Sequence, residues 1–424
     1  MAQLVIRDCG MLNGRTATIV CENDEISEII LDGRSPPESD RVIEGGGFYL
    51  LPGLVNTHTH APMSILRGIG EDLQLDRWLN DAIWPLEGKM TLDHLKAGMR
   101  LACLEMIRTG TTTFNDMYFR EGELAETVSS MGLRAVLGEG FIDMNSEEMR
   151  ERNIASTLDT VKRIESLRSD LITTSICPHA AYTVSEEGLI WCKETADDMN
   201  LPLHIHLSET ADEVARFRER HGTGPVKFLD GLGFLKDTVT AAHCVHLDDP
   251  EIDLLASRGV KVSHNPISNM KLSSGGPMRL PDLVKKGVDV SLGTDGAASN
   301  NSLDMFRTMK TAGLLSKHAW GPGSVSTSDI LKMASGGING QTGPLNGCIR
   351  TGMDADLILL DRDHFSLNPP NDVLSNIVYS AAADSVRYTI VAGRVIMENG
   401  RVQGDRKIIE EARSAALHLV SGGD

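Results

Sequence analysis

Several common features are absent from this 424-residue sequence, and each absence excludes a class of protein. No CxxC pair occurs among its seven scattered cysteines, which argues against a disulfide framework and against a zinc ribbon. No apolar run approaches the roughly 20 residues that span a bilayer, and the N-terminus lacks the basic-then-apolar layout of a signal peptide. We therefore expect a cytoplasmic protein whose thiols are reduced.

Basic residues are also in short supply. Lysine and arginine total 41 against 59 aspartates and glutamates, which gives a net charge of −18. Such an excess of negative charge repels a phosphate backbone and an anionic membrane surface. We expect a small-molecule substrate, with neither nucleic acid nor membrane as a partner.

The two ends of the chain are rich in β-forming residues. Residues 2–48 contain short strand-like segments that are separated by turn signals such as Asn13-Gly14. A similar pattern of short strand-like segments occurs from about residue 350 and is followed by a helical tail. This pattern predicts one small β-sandwich domain formed by both termini, from residues 1–50 and 350–424.

The centre of the chain, residues 51–349, alternates strand-like and helix-like segments. Eight apolar pieces are each followed by a stretch that can form a helix, with apolar residues at spacings of three and four. The fold class is therefore α/β, and eight such units predict a closed, TIM-like (β/α)8 barrel.

Chemically active side chains lie where these strands end. His58 and His60 share one face of the first strand because alternate side chains of a strand point the same way. His206, His243 and Asp295 end later strands, and the carboxyl ends of barrel strands meet at the catalytic face. The alternative is that the two histidines of the HxH pair are ordinary polar loop residues. Imidazoles with a carboxylate are typical of a catalytic divalent-metal site, with zinc the favoured ion.

Five segments carry a family resemblance: LPGLVNTHTH, HIHLSET, AAHCVHLD, SHNPISNMKLSSG and LGTDGAASNNSLDMF. Together they resemble the amidohydrolase superfamily, and within it the 5-methylthioadenosine/S-adenosylhomocysteine deaminase family, which includes 5'-deoxyadenosine deaminases. The resemblance covers essentially the whole chain. It implies a hydrolase of C–N bonds in cyclic amidines that converts adenosine-type nucleosides to the inosine product and ammonia. It also implies a homo-oligomer.

The resemblance further implies one divalent ion per subunit, most simply Zn²⁺ with Fe²⁺ as the alternative. Its four implied ligands are His58, His60, His206 and Asp295. Family members with two metals typically carry a modified lysine late in the fourth barrel strand, where it bridges the two ions. The corresponding residues here, 171–182, contain no lysine, which favours a site with one metal. His204 faces the same way as His206 by strand period, but we expect it to pack in the interior.

The same resemblance distributes the proton transfers of the reaction. Glu209 delivers a proton to ring nitrogen N1, Asp295 accepts a proton from the attacking water, and His243 orients that water as hydroxide. A bound zinc ion lowers the pKa of its water to about 7, which supplies the hydroxide at neutral pH. His246 is then expected to be a loop residue.

Substrate contacts are implied for residues of the loops. Glu87 is expected to bind the ribose hydroxyls, because a carboxylate can accept two hydroxyl hydrogen bonds. His179 and Trp78 are expected to contact the nucleoside, as are Glu209 and Asp295.

One departure from the family concerns the 5' group of the nucleoside. Relatives that accept S-adenosylhomocysteine have arginines that pair with its carboxylate, whereas here only Arg150 or Arg152 could do so. The substrates favoured are therefore 5'-deoxyadenosine, 5'-methylthioadenosine and adenosine.

Two alternatives stay open on the sequence alone. One is an amidohydrolase that acts on another aminated or chlorinated ring, such as guanine or a triazine. The other is a non-catalytic, metal-free binding protein. A ribose-binding Glu87 argues against the first, and the full set of expected ligands argues against the second.

Overall fold

The structure is a computed structural model that describes residues 3–337 and 348–421. Its strands are β1 (Leu4–Gly10), β2 (Thr16–Glu22), β3 (Glu25–Ile30), β4 (Val42–Glu44), β5 (Phe48–Pro52), β6 (Leu54–Thr59), β7 (Thr111–Tyr118), β8 (Arg134–Phe141), β9 (Ile172–Thr174), β10 (Cys177–Pro178), β11 (Leu203–Leu207), β12 (Val239–His243), β13 (Lys261–His264), β14 (Asp289–Leu292), β15 (Leu357–Asp361), β16 (Val386–Val391) and β17 (Arg394–Glu398).

Helices separate most of the central strands. The α-helices are α1 (Leu75–Arg77), α2 (Trp84–Glu87), α3 (Leu92–Arg108), α4 (Glu121–Met131), α5 (Glu147–Leu167), α6 (Glu186–Met199), α7 (Ala211–His221), α8 (Pro225–Gly231), α9 (Asp249–Arg258), α10 (Pro266–Lys271), α11 (Leu280–Lys285), α12 (Ala297–Asn300), α13 (Met305–Trp320), α14 (Thr327–Ala334), α15 (Val373–Tyr379) and α16 (Asp405–Ser421). Among the described helices, none is both long enough and apolar enough to cross a bilayer.

Short helical turns complete the described secondary structure. A π-helix spans Trp78–Ile83 between α1 and α2, and 3-10 helices span Ala61–Leu66, Phe365–Leu367 and Ala383–Ser385. The segment from residue 61 to residue 91 is therefore a series of short helical pieces. It connects β6 to α3 and includes several of the side chains that were predicted to contact substrate.

Side-chain caps explain where several of the helices begin. Thr91, Thr210 and Asp248 each accept a hydrogen bond from the backbone amide three residues later, and the side chain of that third residue accepts one from the cap's own amide. These reciprocal pairs satisfy amides that have no partner within the helix. The pair at Thr210 lies beside the candidate site.

Both ends of the chain contribute strands to one sheet. Its order is β17-β16-β15-β5-β1-β2-β3, with β4 beside β1. The N-terminal β5 and the C-terminal β15 pair antiparallel, with Leu50 opposite Leu359. Leu50, Leu359 and Ile19 are among the buried apolar side chains of this sheet. Strands from the N-terminal and C-terminal parts of the chain thus pair within one sheet.

The central strands form two parallel sheets. One has the order β10-β8-β7-β6 with β9 beside β8, and the other has the order β11-β12-β13-β14. Every one of the eight strand-like segments predicted from the sequence contains strand structure, and the fourth is split into β9 and β10. These strands are buried almost throughout, as expected for parallel strands covered on both faces.

The two parallel sheets adjoin at both of their edges. At one edge Ala180 bridges to His206 and Ile176 to Leu203, both in parallel orientation. At the other edge the amide of Asp295, just after β14, donates to the carbonyl of His58 on β6 at 2.9 Å. The carboxyl ends of strands from both sheets therefore come together in one region.

A buried ion pair joins the large sheet to the parallel strands. Arg134 at the start of β8 donates to both carboxylate oxygens of Asp356, at 2.9 and 3.3 Å. The amide of Ala392 also donates to Asp356, at 2.8 Å. The two side chains are less than a tenth exposed, so the pair holds the two parts of the chain in a fixed register.

Candidate active site

The four predicted metal ligands converge at the carboxyl ends of the parallel strands. The Nε2 atom of His60 lies 3.3 Å from Nε2 of His206 and 3.3 Å from Oδ1 of Asp295. Nε2 of His58 lies 3.7 Å from the same Asp295 oxygen. The ligand atoms of His58, His60 and His206 all lie within 4.8 Å of one another, as do those of His58, His243 and Asp295. The structure thus brings together residues that are 237 positions apart in the chain, from His58 to Asp295.

One buried atom in this cluster has no partner. His58 is fully buried, and its Nε2 makes no hydrogen bond within the described part of the chain. A buried polar atom without a partner is unfavourable by about 1 to 3 kcal/mol. Because a carboxylate and two further imidazole nitrogens surround this atom, the donor set fits a divalent cation.

The opposite ring nitrogens of the three histidines are held by specific partners. Nδ1 of His60 lies 2.6 Å from the carbonyl oxygen of Met117, and Nδ1 of His206 lies 2.8 Å from that of His179. A carbonyl only accepts, so both Nδ1 atoms carry a proton, and Nε2 is the ring atom that each of these two histidines offers to the cluster. Nδ1 of His58 lies 3.0 Å from Nε2 of His204.

Burial keeps the imidazoles of His58 and His206 neutral. It lowers the pKa of His58 and of His206 well below the usual value, and the neighbouring imidazoles lower both pKa values further. Neutral imidazole is the form that binds metal. These two imidazoles are therefore in the form that a cation requires.

Asp295 is held in a strained position after β14. Its φ of +64° is in the left-handed region, where residues other than glycine are uncommon. Ser268 Oγ donates to its Oδ2 at 2.6 Å, and the amide of Gly296 donates to its Oδ1 at 2.7 Å. Burial opposes ionisation of this carboxyl, but His60, His243 and these hydrogen bonds together lower its pKa. Asp295 is thus an ionised, fixed carboxylate.

A glycine allows β14 to approach β6 closely at this point. A Cβ atom on Gly293 would lie 2.3 Å from Oδ1 of Asn265 and 2.9 Å from Cβ of His58. No side chain fits in that space. Gly293 therefore permits the approach that places Asp295 beside His58.

Glu209 and His243 form a second pair in the same cavity. Oε2 of Glu209 lies 3.7 Å from Nε2 of His243, and Ser274 Oγ lies 3.4 Å from its Oε1. Burial, reinforced by the charge of Asp295, raises the pKa of Glu209 to about 8. At neutral pH this carboxyl is therefore protonated and can act as a proton donor.

The tautomer of His243 follows from its neighbour. The amide nitrogen of Asn269 lies 2.8 Å from Nδ1 of His243, so this ring atom accepts and the ring proton lies on Nε2. Burial lowers the pKa of His243, which keeps the ring neutral. Its φ of +75° is another left-handed value at a strand end. His243 thus presents an N–H donor toward Glu209.

The cavity over these residues extends to the helical segment before α3. The predicted substrate contacts that line it are Trp78, Glu87, His179, Glu209 and Asp295. Apolar and aromatic side chains supply most of the remaining wall, including Leu75, Ile83, Trp84, Phe119, Ile142 and Leu272. No lysine or arginine is among the lining residues that the structure describes.

Each of the three loop residues has a defined environment. The hydroxyl of Tyr118 donates to Oε1 of Glu87, and burial raises the pKa of Glu87. His179 Nδ1 lies 2.8 Å from Thr183 Oγ1, and burial lowers the pKa of His179 to about 3. The indole nitrogen of Trp78 is buried and has no hydrogen-bond partner within the described residues.

The two arginines considered for a carboxylate contact lie elsewhere. Arg150 contacts Ser185 Oγ at 3.4 Å and Glu187 at 4.0 Å. Arg152 pairs with Glu148 on its own helix at 3.1 Å. Neither arginine is among the residues that line the cavity.

Several residues of the site were not given these roles by the sequence. His204 is fully buried, as predicted, but it also orients His58. Ser268 and Asn269 hold Asp295 and His243 from α10, the short helix that follows β13. Glu213 accepts from the amides of Ser208, Glu209 and Thr210. Its signal was available, because Thr210 and Glu213 have the spacing of a capping box.

Known proteins of one family are similar to this chain over most of its length. The sequence pattern of the amidohydrolase family matches residues 49–396, a range that contains the whole histidine cluster. A 5-methylthioadenosine/S-adenosylhomocysteine deaminase of Thermococcus sibiricus is 47% identical over 387 residues, covering 90% of this chain and 89% of that protein. A 5'-deoxyadenosine deaminase of Methanoregula boonei is 46% identical over 384 residues, covering 90% and 87%. The crystal structure of an adenosine deaminase from Xanthomonas campestris with bound zinc is 31% identical, with a TM-score of 0.93 over 99% of both chains.

Proposed function

Because this chain belongs to the amidohydrolase family, we propose that it is a metal-dependent hydrolase that deaminates adenosine-type nucleosides. Water replaces the 6-amino group, so that ammonia and the inosine-type product are released. The observation that carries the proposal is one cavity that holds a cluster of imidazoles with the neutral ring of His206 among them, a protonated Glu209 and the carboxylate of Glu87.

One divalent ion fits the inner end of the cavity. The residues that would hold it are His58, His60, His206 and Asp295, and the unpartnered Nε2 of His58 supports this set. Zinc is the proposed ion, because the adenosine deaminase of similar structure binds zinc, and Fe²⁺ is the alternative. The chemistry that such an ion supplies when bound is a water molecule made nucleophilic at neutral pH.

Side chains of the protein carry out the proton transfers of the reaction. Asp295, held ionised by Ser268 and Gly296, accepts a proton from the water that adds to C6. Glu209, protonated at neutral pH, donates its proton to ring nitrogen N1, so that the ring can accept the electron pair. The Nε2 proton of His243 is a donor that orients the attacking oxygen. The proton taken up by Asp295 passes to the 6-amino group, the C6–N bond breaks and ammonia leaves, and the hydroxyl at C6 returns its proton to Glu209 as it becomes the carbonyl.

The outer part of the cavity suits the ribose. A carboxylate accepts two hydroxyl hydrogen bonds, so Glu87 is proposed to bind the 2' and 3' hydroxyls. Trp78 has a buried N–H that finds no partner in the described part of the chain, and a nucleoside oxygen or nitrogen would satisfy it. His179, kept neutral by burial, is proposed as a further nucleoside contact.

The wall of the cavity favours a small or apolar 5' group. S-adenosylhomocysteine ends in an amino acid whose carboxylate needs a cationic partner. The described lining residues supply none, and Arg150 and Arg152 are engaged with Ser185 and Glu148. We therefore place 5'-deoxyadenosine, 5'-methylthioadenosine and adenosine before S-adenosylhomocysteine.

We also propose how the strands are arranged in two domains. The contacts between the parallel sheets at both edges support a closed (β/α)8 barrel over residues 51–349. The pairing of β5 with β15 supports a composite β-domain, proposed as a β-sandwich, from residues 1–50 and 350–424. A homo-oligomer and a cytoplasmic location remain predictions from the sequence.

A panel of substrates tests the function and its main alternative. Adenosine, 5'-deoxyadenosine, 5'-methylthioadenosine, S-adenosylhomocysteine, adenine and guanine are compared by the loss of purine absorbance and the release of ammonia. We expect the first three to be deaminated with the highest kcat/KM. Preference for guanine or adenine would instead support a free-base deaminase.

The variant Glu87→Ala sharpens this comparison. Loss of a charged hydrogen-bonding partner should lower kcat/KM on nucleosides by about 10-fold or more and leave any activity on free bases unchanged. Equal losses on nucleosides and bases would reject the ribose assignment. A folded protein that binds no metal and deaminates nothing would support the non-catalytic alternative.

A further inference from the structure

Tyr118 lines the cavity and lies near both Glu87 and His60. It is the last residue of β7, it is about 5% exposed, and its hydroxyl donates to Oε1 of Glu87. The same hydroxyl lies 3.9 Å from Sδ of Met90, and the ring centroid lies 6.3 Å from that of His60. Glu87 belongs to α2, in the short helical pieces between β6 and α3. The phenol is therefore a direct link between that helical segment and a strand that carries the site.

Burial fixes Tyr118 as the donor of this hydrogen bond. Burial, with the nearby charge of Glu87, raises the pKa of Tyr118 well above its usual value, so the phenol keeps its proton and donates. Burial also raises the pKa of Glu87, and the hydrogen bond from Tyr118 opposes that rise. The contact thus favours the ionised carboxylate, which is the form that accepts from two hydroxyls.

The hydrogen bond also makes the two oxygens of Glu87 unequal. Oε1 already accepts from a neutral phenol, whereas no such donor to Oε2 is found among the described residues. A hydroxyl that binds Oε1 therefore shares its acceptor, and one that binds Oε2 does not. We propose that Tyr118 is a positioning residue that fixes the Glu87 carboxylate for a vicinal diol, so that the two ribose hydroxyls contribute unequally to binding. This inference rests on the proposed nucleoside substrate.

The test uses Tyr118→Phe and three substrates: adenosine, 2'-deoxyadenosine and 3'-deoxyadenosine. In the unmodified protein, removal of one hydroxyl should raise KM clearly more than removal of the other, by about fivefold or more. In Tyr118→Phe, KM for adenosine should rise by about 10-fold while kcat changes far less, and the two deoxy substrates should become nearly equivalent. The matched control is Tyr388→Phe, which removes a buried phenol that donates to Asn399 at 3.4 Å in the large sheet. It should leave every KM unchanged.

A double variant separates positioning from general support of the fold. If Tyr118 acts through Glu87, then Tyr118→Phe in a Glu87→Ala background should add almost nothing to KM. Metal content and melting temperature, measured for each variant, should match those of the unmodified protein. A full additional loss in the double variant, or a fall in metal content, would overturn the inference, because Tyr118 would then act on the site by another route.

The outcomes distinguish this inference from the function on which it rests. A protein that deaminates no nucleoside overturns both. If nucleosides are deaminated and Glu87→Ala leaves that activity unchanged, both the ribose assignment and the role of Tyr118 are overturned. Nucleoside deamination that depends on Glu87 but is indifferent to Tyr118→Phe overturns only the positioning role.

Discussion

Replacement of His204 by leucine tests how the site is held together. His204 contacts His58 through a 3.0 Å nitrogen–nitrogen hydrogen bond, and both side chains are fully buried. Water therefore has no access to replace the lost partner, and Nδ1 of His58 would be left buried and unpaired. Loss of such a supporting contact to a metal ligand typically weakens metal binding by about 10- to 100-fold. That factor corresponds to about 1.4 to 2.7 kcal/mol.

The assay is a zinc titration of the metal-depleted protein in competition with a chromophoric chelator. His418→Leu is a matched control, because His94 and His418 form another histidine pair at 3.0 Å, between α3 and α16. We expect the zinc affinity of His204→Leu to fall and that of His418→Leu to stay unchanged. An unchanged affinity in a folded His204→Leu protein, or an equal loss in both variants, would refute the reasoning.

Four further predictions address catalysis and stability. Glu209→Gln should lower kcat/KM by about 10²- to 10⁴-fold with full metal content, because the proton donor is lost, and normal activity would exclude Glu209 from acid catalysis. Since the pKa of Glu209 is raised to about 8 and the donor is the protonated form, the activity of the unmodified protein should decline as the pH rises through about 8; a pH–rate profile that stays level there contradicts this role. Arg134→Ala should lower the free energy of unfolding by about 3 to 5 kcal/mol, because the buried carboxylate of Asp356 loses its partner; a change below about 1 kcal/mol in urea denaturation would show that the pair is dispensable. Ser268→Ala should reduce kcat/KM by about 10-fold or more, since Asp295 loses the hydroxyl that holds Oδ2 at 2.6 Å, and an unchanged rate would show that Asp295 is positioned without it.

The positions of the reactive side chains could be predicted because strand periodicity and strand ends are local properties of the sequence. Residues at alternate positions of a strand share a face, which placed His58 and His60 together. Parallel strands present their carboxyl ends at one side, which placed His206, His243 and Asp295 with them. The structure brings all of these residues into one cluster.

The supporting contacts could not be predicted, because they depend on how distant segments meet. His204 contacts His58 across 146 positions of the chain, and Tyr118 reaches Glu87 across 31. Both depend on the exact register between neighbouring elements, which apolar patterning does not specify. The left-handed backbone of Asp295 is likewise imposed by tertiary packing, since a local preference disfavours it.

The helical segment before α3 was the least predictable part of the cavity. The sequence indicated a long connection that bears Trp78, Trp84 and Glu87, but it did not specify the secondary structure of that connection. The structure arranges it as α1, a π-helix and α2 in series. A π-helix has no recognisable sequence signal, although it is frequent at functional sites.

The central claim is that a metal held by this cluster and the acid Glu209 together remove the 6-amino group of a nucleoside. The most direct measurement follows ammonia release from 5'-deoxyadenosine by the protein loaded with zinc, by the same protein after chelation, and after zinc is restored. We predict one ammonia for each inosine-type product, loss of the activity on chelation and its recovery with about one zinc per chain. Deamination that persists in the fully metal-depleted protein, or a zinc-loaded protein that releases no ammonia, would contradict the claim.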